Sequence, residues 1–254
     1  MRAALRKILK TRLKSDLKTL VNKFLHPPLT GSIAHVRLEL EQKSVVDWER
    51  CMKLYDSRLA PNPRRVRIFL AEKNIAVPTE QVDITKLEHK SPEYTAINPL
   101  QRMPSLVLDD GTIITESIAI CRYFEILNPE PPLFGTGPKD AAIVEMWNRR
   151  AEINFLSNVA AVFRHTHPAM KELEVPQVPA WAEANRPRIS WFLEMLNLEL
   201  TNREFVAGDR YTVADITMQV AIDFMKPARL SIPERAANVK RWHATVSARP
   251  SSTA

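Results

Sequence analysis

The chain has 254 residues, of which 45% are hydrophobic and 26% are charged, and only two of them are cysteines. This is the composition of a water-soluble globular protein of one or two domains, and no long apolar run predicts a membrane span. Cys51 and Cys121 form no Cys-x-x-Cys pair and no disulfide framework, which fits a reducing compartment.

The net charge of +7 is concentrated at the beginning of the chain. Residues 1–51 hold 11 Lys and Arg against 5 Asp and Glu, a net charge of +6, which leaves +1 for residues 52–254. A basic surface over the body of the protein is therefore excluded, and nucleic-acid binding by that part is not predicted.

The stretch from Met1 to about Leu25 predicts a basic amphipathic helix. Its eight Lys and Arg stand against Asp16 alone, and its leucines recur at nearly helical spacing. Such a segment is typical of a mitochondrial presequence or of contact with an anionic membrane surface. The alternative is that residues 1–51 are a poorly ordered extension, or upstream sequence that is not native to the protein.

A strand–helix–strand unit comes next. Lys53–Asp56 predicts a strand, Asn62 predicts a helix N-cap before Pro63, and this helix is expected to end near Lys73. Val77–Ile84 predicts a second strand, parallel to the first and joined to it by a right-handed crossover. The Gly-x-Gly-x-x-Gly turn with which such units bind dinucleotides is missing, so a nucleotide site is not predicted.

A short helix then leads into a β-hairpin. Ser91 predicts the N-cap of this helix and Asn98-Pro99 predicts its end. Ser105–Leu108 and Thr112–Thr115 are short apolar or β-branched runs on either side of Asp109-Asp110-Gly111. That composition predicts two antiparallel strands joined by a tight turn.

Both ends of the hairpin carry signals of a binding site. A cis bond between Met103 and Pro104, just before the first strand, would turn the main chain of Met103 outward, where an extended peptide can pair with it. Ser117, just after the second strand, predicts the N-cap of a helix, whose free N–H groups attract an anion. Together the two ends predict a site for a small peptide with an α-carboxylate.

The remainder of the chain is predicted to be helical. Residues 128–138 hold four prolines and two glycines and predict a linker. Thr212 and Asp215 form a capping box with a role in folding rather than in catalysis. Helical patterns cover about 139–164, 179–200, 213–224 and 236–248. The predicted fold class is α/β plus all-α, with the order β-α-β, helix, β-β, helix followed by an α-helical bundle.

The sequence resembles the cytosolic glutathione transferases, whose thioredoxin-like domain has a cis-proline loop, a hairpin and a Glu-Ser pair in this order. The resemblance begins at about Met52, which favours the interpretation that residues 1–51 lie outside the fold. It implies a thioredoxin-like glutathione-binding domain at 52–127, the linker at 128–138 and an all-α domain at 139–254.

The resemblance also implies which residues hold glutathione. Glu116 and Ser117 take the charged γ-glutamyl end, and the hydroxyl and helix start at Ser117 agree with this on physical grounds. His89 and Lys90 match a pair that reaches the glycine carboxylate. The peptide is also faced by Arg102, Met103 and Pro104.

The group that stabilises the glutathione thiolate is not the usual one. The position of the family's catalytic serine falls on Ala60, with Ser57 three residues earlier and Asn62 close enough to donate its amide. The pattern resembles atypical fungal and bacterial transferases that rely on the helix dipole and a water. Some of those hold the water with a Ser and a His, and His165 matches the His.

No metal site is predicted, because His165 and His167 stand two residues apart on a helix and point away from each other. An apolar site for the second substrate has candidates in the all-α domain, although such side chains more often belong to the core. They are Met146, Trp147, Phe155, Phe163 and Met170. Cys121 is expected to be a small core residue.

The resemblance implies an enzyme that joins the glutathione thiolate to hydrophobic electrophiles in detoxification. Glutathione is then the co-substrate, no cofactor is needed, and the protein is expected to be a cytoplasmic homodimer. Two alternatives stay open: a non-catalytic glutathione-binding or protein-interaction module on the same fold, and a glutathione-dependent peroxidase.

Overall fold

A computed structural model describes residues 52–254 of the chain. The predicted basic helix and Cys51 lie outside the described residues. Among residues 52–254, no helix has the length and apolar character needed to cross a membrane.

The first domain contains a sheet of four strands in the order β2-β1-β3-β4. These are β1 (Lys53–Asp56), β2 (Thr79–Gln81), β3 (Ser105–Val107) and β4 (Ile113–Thr115). As predicted, β1 and β2 are parallel and β3 and β4 are antiparallel. The structure adds an antiparallel pairing between β1 and β3, which joins the two halves of the sheet. Strand β2 is shorter than expected, because the chain turns at Asp83, whose carboxylate accepts a hydrogen bond from the N–H of Thr85 at 2.9 Å.

Helix α1 (Pro61–Glu72) joins β1 to β2 and ends beside Lys73, as predicted. Its start is a correction: Ala60 occupies the N-cap position without a side-chain cap, and Asn62 is an exposed residue of the first turn. Both Pro61 and Pro63 suit the fixed φ of a first helical turn, and the helix uses the earlier proline.

The second half of this domain also follows the predicted order. Helix α2 (Pro92–Ile97) is capped by Ser91, whose hydroxyl accepts a hydrogen bond from the N–H of Tyr94 at 3.1 Å. In the hairpin turn Gly111 has a φ of +80°, a conformation that side chains rarely adopt. Helix α3 (Ser117–Leu127) begins with Ser117 as its first helical residue, and Glu116 is the N-cap residue, which corrects the prediction.

The second domain is all-α, as predicted. Its helices are α4 (Gly137–Arg149), α5 (Ser157–Thr166), α6 (Pro179–Glu199), α7 (Val213–Asp223) and α8 (Ala237–Ser247). A π-helical segment, Arg150–Leu156, runs between α4 and α5 without a break.

Helix α7 is the centre of the second domain and is buried over nearly its whole length. The capping box at its start is confirmed, since the Asp215 carboxylate accepts a hydrogen bond from the Thr212 N–H at 3.0 Å. The same carboxylate accepts hydrogen bonds from the N–H of Val206 at 2.8 Å and the indole Nε1 of Trp242 at 2.9 Å. Asp215 therefore joins three parts of the domain in its core.

Candidate active site

Strand register brings the predicted site residues to one edge of the sheet. Tyr55 in β1 lies opposite Ser105, and Ser105 lies opposite Thr115 in β4. The segment after β1, the Met103-Pro104 bond before β3 and the Glu116-Ser117 pair after β4 therefore meet at the same edge.

The loop before β3 is tied down by hydrogen bonds. The main-chain oxygen of Arg102 accepts one from the Tyr94 hydroxyl at 2.6 Å and one from the Asn98 side-chain amide at 2.8 Å. The Met103-Pro104 bond is cis, as predicted. Met103 and the segment beside it are thus held at the sheet edge by side chains of α2 and its C-terminal end.

Glu116 and Ser117 differ in exposure and in their partners. Glu116 has a φ of +64°, an unusual conformation for a residue with a side chain, and its exposed carboxylate pairs with no cation of residues 52–254. Ser117 is buried, and its Oγ accepts a hydrogen bond from Arg65 at 2.8 Å. Strained backbone at a sheet edge is characteristic of functional sites.

His89, Lys90 and Arg102 lie on the side of the site nearest α2. Burial is the main reason that the pKa of His89 is below its usual value, and the charges of Lys90 and Arg102 lower this pKa further. His89 is therefore a neutral imidazole at neutral pH. Its Nδ1 is buried and has no hydrogen-bond partner among the described residues.

Arg102 also faces the second domain. Arg102 is exposed at the surface, but partial desolvation and, next, the charge of Arg164 lower its pKa, whereas Glu174 acts to raise it. Arg164 itself donates a hydrogen bond to the Glu174 carboxylate at 3.0 Å. Charged residues of both domains thus surround this end of the site.

The first turn of α1 offers few main-chain donors. Pro61 and Pro63 have no N–H, the Ala60 N–H is bonded to the Ser57 oxygen at 3.2 Å, and the Arg64 N–H points to the Ala60 oxygen at 3.4 Å. The Asn62 N–H makes no hydrogen bond to the described residues, so it is the available donor of this turn. Ser57 itself is buried, with 3% of its surface exposed.

His165 is held by groups of the second domain. Its Nδ1 accepts a hydrogen bond from the Val178 N–H at 3.1 Å, and its Nε2 lies 3.9 Å from the Glu174 carboxylate. No hydrogen bond joins it to the predicted site residues of the first domain within the part of the chain that the structure describes. His167 is bonded separately, to the N–H of Ala169.

Three rings of the second domain pack together near the C-terminal ends of α5 and α7. The ring of Phe163 stacks on His167 with centroids 4.6 Å apart and packs against Phe224 at 5.0 Å. Phe224 directly follows Asp223, whose carboxylate is 2.6 Å from the Arg64 guanidinium of α1. Of the other predicted apolar residues, Trp147 and Phe155 belong to the core, Met146 is exposed and Met170 is half-buried.

Two residues of this region were missed by the sequence analysis, namely Arg65 and Glu152. The guanidinium of Arg65 is fully buried and lies 3.0 Å from the Glu152 carboxylate. One signal was present: Arg65 stands four residues before Phe69, on the predicted apolar face of α1. A charged residue at such a position needs a partner, but the sequence did not identify Glu152 as that partner.

Comparisons with known proteins agree with this architecture. Residues 60–126 match the model of the glutathione S-transferase N-terminal domain, and residues 159–250 match the model of the C-terminal domain. Glutathione S-transferase 2 of Saccharomyces cerevisiae is 36% identical over 203 residues, which cover 79% of this chain and 87% of that protein.

Solved structures agree as well. A glutathione S-transferase domain-containing protein of Marinobacter aquaeolei matches with 40% identity and a TM-score of 0.76, covering 78% of this chain and 98% of that one. The structure of Gtt2 from Saccharomyces cerevisiae matches with 35% identity and a TM-score of 0.76, covering 79% and 98% of the two chains. With both domain models matched and close relatives covered almost completely, the chain belongs to the cytosolic glutathione S-transferases and is a glutathione transferase.

Proposed function

We propose that this enzyme joins the thiolate of glutathione to hydrophobic electrophiles in detoxification. The observation that carries the proposal is the meeting of Met103-Pro104 and Glu116-Ser117 at the sheet edge beside α1. This edge offers an extended main chain for the peptide and a helix start for its γ-glutamyl carboxylate. The unpaired carboxylate of Glu116 suits the γ-glutamyl amine.

The opposite end of glutathione lies toward His89, Lys90 and Arg102 in this proposal. Lys90 and Arg102 are exposed cations that suit the glycine carboxylate, and His89 contributes a neutral hydrogen bond. The charge pattern of the site then matches the charge pattern of the tripeptide from end to end.

In this proposal, the first turn of α1 stabilises the glutathione thiolate. Lowering a thiol pKa from about 8.5 to about 6.5 takes about 2.7 kcal/mol of preferential stabilisation of the anion. The helix dipole and the free N–H of Asn62 favour the anion there, with the Asn62 side-chain amide and the Ser57 hydroxyl as further donors nearby. His165, which makes no hydrogen bond to the described residues of this turn, acts through a water in this proposal.

The electrophile is proposed to lie against Phe163, His167 and Phe224. These rings are partly buried, and Phe224 directly follows Asp223, which pairs with Arg64 in the first turn of α1, where the sulfur is expected. An apolar surface next to the nucleophile favours electrophiles that water dissolves poorly.

The test is an assay with 1-chloro-2,4-dinitrobenzene and glutathione, with controls that omit the protein or the glutathione. The thiol proton goes to solvent, the sulfur bonds to the ring carbon that carries chlorine, and chloride leaves. One conjugate and one chloride per glutathione are expected. Glutathione binding without conjugation would favour the non-catalytic module. Oxidation of two glutathione molecules to the disulfide while a hydroperoxide is reduced to an alcohol and water, without conjugation, would favour the peroxidase.

We also propose a homodimer and a cytoplasmic location. Large apolar side chains remain exposed on both domains, with Leu100 exposed to 65% and Ile153 to 50%, which supports self-association. Light scattering on the purified chain tests the dimer, and a monomer at micromolar concentration would contradict it. A fluorescent fusion of the full chain distinguishes the cytoplasm from mitochondria.

A further inference from the structure

Arg65 is a buried cation with incomplete compensation. Its side chain has 0% exposure, and its one carboxylate partner among residues 52–254, Glu152 at 3.0 Å, is 27% exposed. Glu152 also pairs with Arg149 at 2.6 Å, so its charge is shared between two cations. The Nε and Nη2 atoms of Arg65 have no hydrogen-bond partner among the described residues. A buried cation of this kind attracts a further anion.

The direction of the hydrogen bond between Arg65 and Ser117 indicates where this further anion would lie. A guanidinium has no acceptor atom. In the 2.8 Å hydrogen bond between Arg65 and Ser117, the Nη1 is therefore the donor and the Oγ is the acceptor. The Ser117 hydroxyl proton is then left for another acceptor. Ser117 is also the first residue of α3, and the helix start favours a negative charge at the same place.

We propose that Arg65 is a positioning residue for the α-carboxylate of the γ-glutamyl group, acting through Ser117. This rests on the proposed binding of glutathione at the sheet edge. Arg65 fixes the Ser117 hydroxyl as a donor toward that carboxylate and supplies the buried countercharge behind it. Glu152, from the π-helical segment, holds the guanidinium in place, so the second domain takes part in recognising the first substrate.

The expected effect of the Arg65 charge on glutathione affinity is large enough to measure. A carboxylate bonded to Ser117 lies about 5 Å from the guanidinium, and at the effective dielectric of a protein interior this attraction exceeds a factor of ten in affinity before Glu152 offsets part of it. A loss of about tenfold is therefore expected when the charged pair is removed.

The experiment compares two ligands by calorimetry: glutathione, and glutathione whose γ-glutamyl α-carboxylate is converted to a carboxamide. The lead variant is Arg65→Met/Glu152→Gln, because replacing both members of a buried ion pair is better tolerated than removing one. Arg65→Gln/Glu152→Gln is made beside it, so that the test does not depend on one variant folding. Arg149→Gln is the matched control, since Arg149 contacts the same carboxylate but is 51% exposed.

Both double variants are expected to bind glutathione about tenfold more weakly and the carboxamide within about twofold of wild type. Arg149→Gln should leave both affinities within about twofold of wild type, because the Arg149 charge is half exposed and screened by solvent. Folded variants that keep the preference for the carboxylate, or that lose both ligands equally, would overturn the inference. Wild-type protein that binds neither ligand would instead refute the proposed function.

Discussion

The guanidinium of Arg64 lies 2.6 Å from the carboxylate of Asp223, which ties the first turn of α1 to the end of α7. The Asp223 carboxylate also lies 2.7 Å from Nε2 of His243 in α8. One carboxylate thereby joins the thiolate end of the first domain to two helices of the second.

This junction predicts a pH dependence of stability. Burial opposes ionisation of Asp223, but the hydrogen bonds from His243 and Arg64 outweigh it and lower the pKa below its usual 3.8. A lowered folded-state pKa stabilises the protein above the unfolded pKa, and this stabilisation is lost as the pH falls through the folded value. Asp223→Asn should therefore lower the free energy of unfolding at pH 7, and its effect should shrink as the pH falls below 3.8.

Denaturant unfolding of wild type and Asp223→Asn at several pH values measures this difference. Asp209→Asn, at an exposed loop position, is the control. A difference between wild type and Asp223→Asn that stays constant down to acid pH would show that the carboxylate charge is not what stabilises the junction.

Ser117→Ala should weaken glutathione binding by about 1–3 kcal/mol, the cost of losing a hydrogen bond to a charged group. The measurement is retention on immobilised glutathione together with calorimetry. Ser190→Ala, on the exposed side of α6, serves as the control. Equal affinity for the two variants would remove Ser117 from the binding site.

Asp215→Ala should lower stability without changing the glutathione affinity of the folded protein. A capping box alone is worth about 1–2 kcal/mol. The substitution also leaves the buried donors of Val206 and Trp242 without an acceptor, so about 3–5 kcal/mol and a fall in Tm of roughly 10 °C are expected. A variant with a normal Tm but no activity would place Asp215 in catalysis instead.

The thiolate prediction depends on main-chain donors. Pro61→Ala restores an N–H in the first turn of α1 and should lower the pKa of bound glutathione, whereas Ser57→Ala and Tyr55→Phe should change it little. Asn62→Ala removes only the side-chain amide, so a rise in this pKa with less than about a tenfold loss in kcat/KM is expected.

Ultraviolet absorbance of the bound thiolate against pH measures this pKa in each variant. If the thiolate is lost at neutral pH in Ser57→Ala alone, the Ser57 hydroxyl is the group that stabilises it, as in a conventional serine mechanism. If Pro61→Ala leaves the pKa of bound glutathione unchanged, the start of α1 does not contribute to stabilising the thiolate.

His89 and Lys90 should respond differently to salt. Because the lowered pKa keeps His89 neutral, His89→Gln should cost the same affinity at low and high ionic strength. Lys90→Gln removes an exposed charge, and its cost should shrink as salt is added. Calorimetry at two salt concentrations separates them, and a salt-dependent cost for His89→Gln would mean that the imidazole binds as a cation.

Local signals predicted most of the fold. Ser91 and Gly111 mark a helix start and a turn through their own chemistry. Helical patterns located the second domain's helices as four stretches, the first of which, 139–164, contains α4, the π-helical segment and α5. The start of α1 was misplaced because Asn62-Pro63 and Ala60-Pro61 both fit a helix N-terminus.

Contacts between distant residues were beyond the sequence. Arg65 bonds to residues 52 and 87 positions away, Ser117 and Glu152, and only the folded chain brings them together. The setting of His165 likewise depends on Val178, 13 residues later. The sequence shows which residue types are present, but it does not predict which distant residues they contact in the folded chain.

The π-helical segment Arg150–Leu156 sets the rotational phase of the helix that follows it. Each residue of an α-helix turns the chain by about 100°, so deleting one residue here would rotate all of α5 by that angle. Phe163 would then move away from the proposed electrophile position, and Val162, now fully buried, would leave the core. Since the electrophile is proposed to lie against Phe163, the length of this short segment is expected to affect substrate selection, and insertions or deletions within it should alter specificity more than point substitutions on its surface.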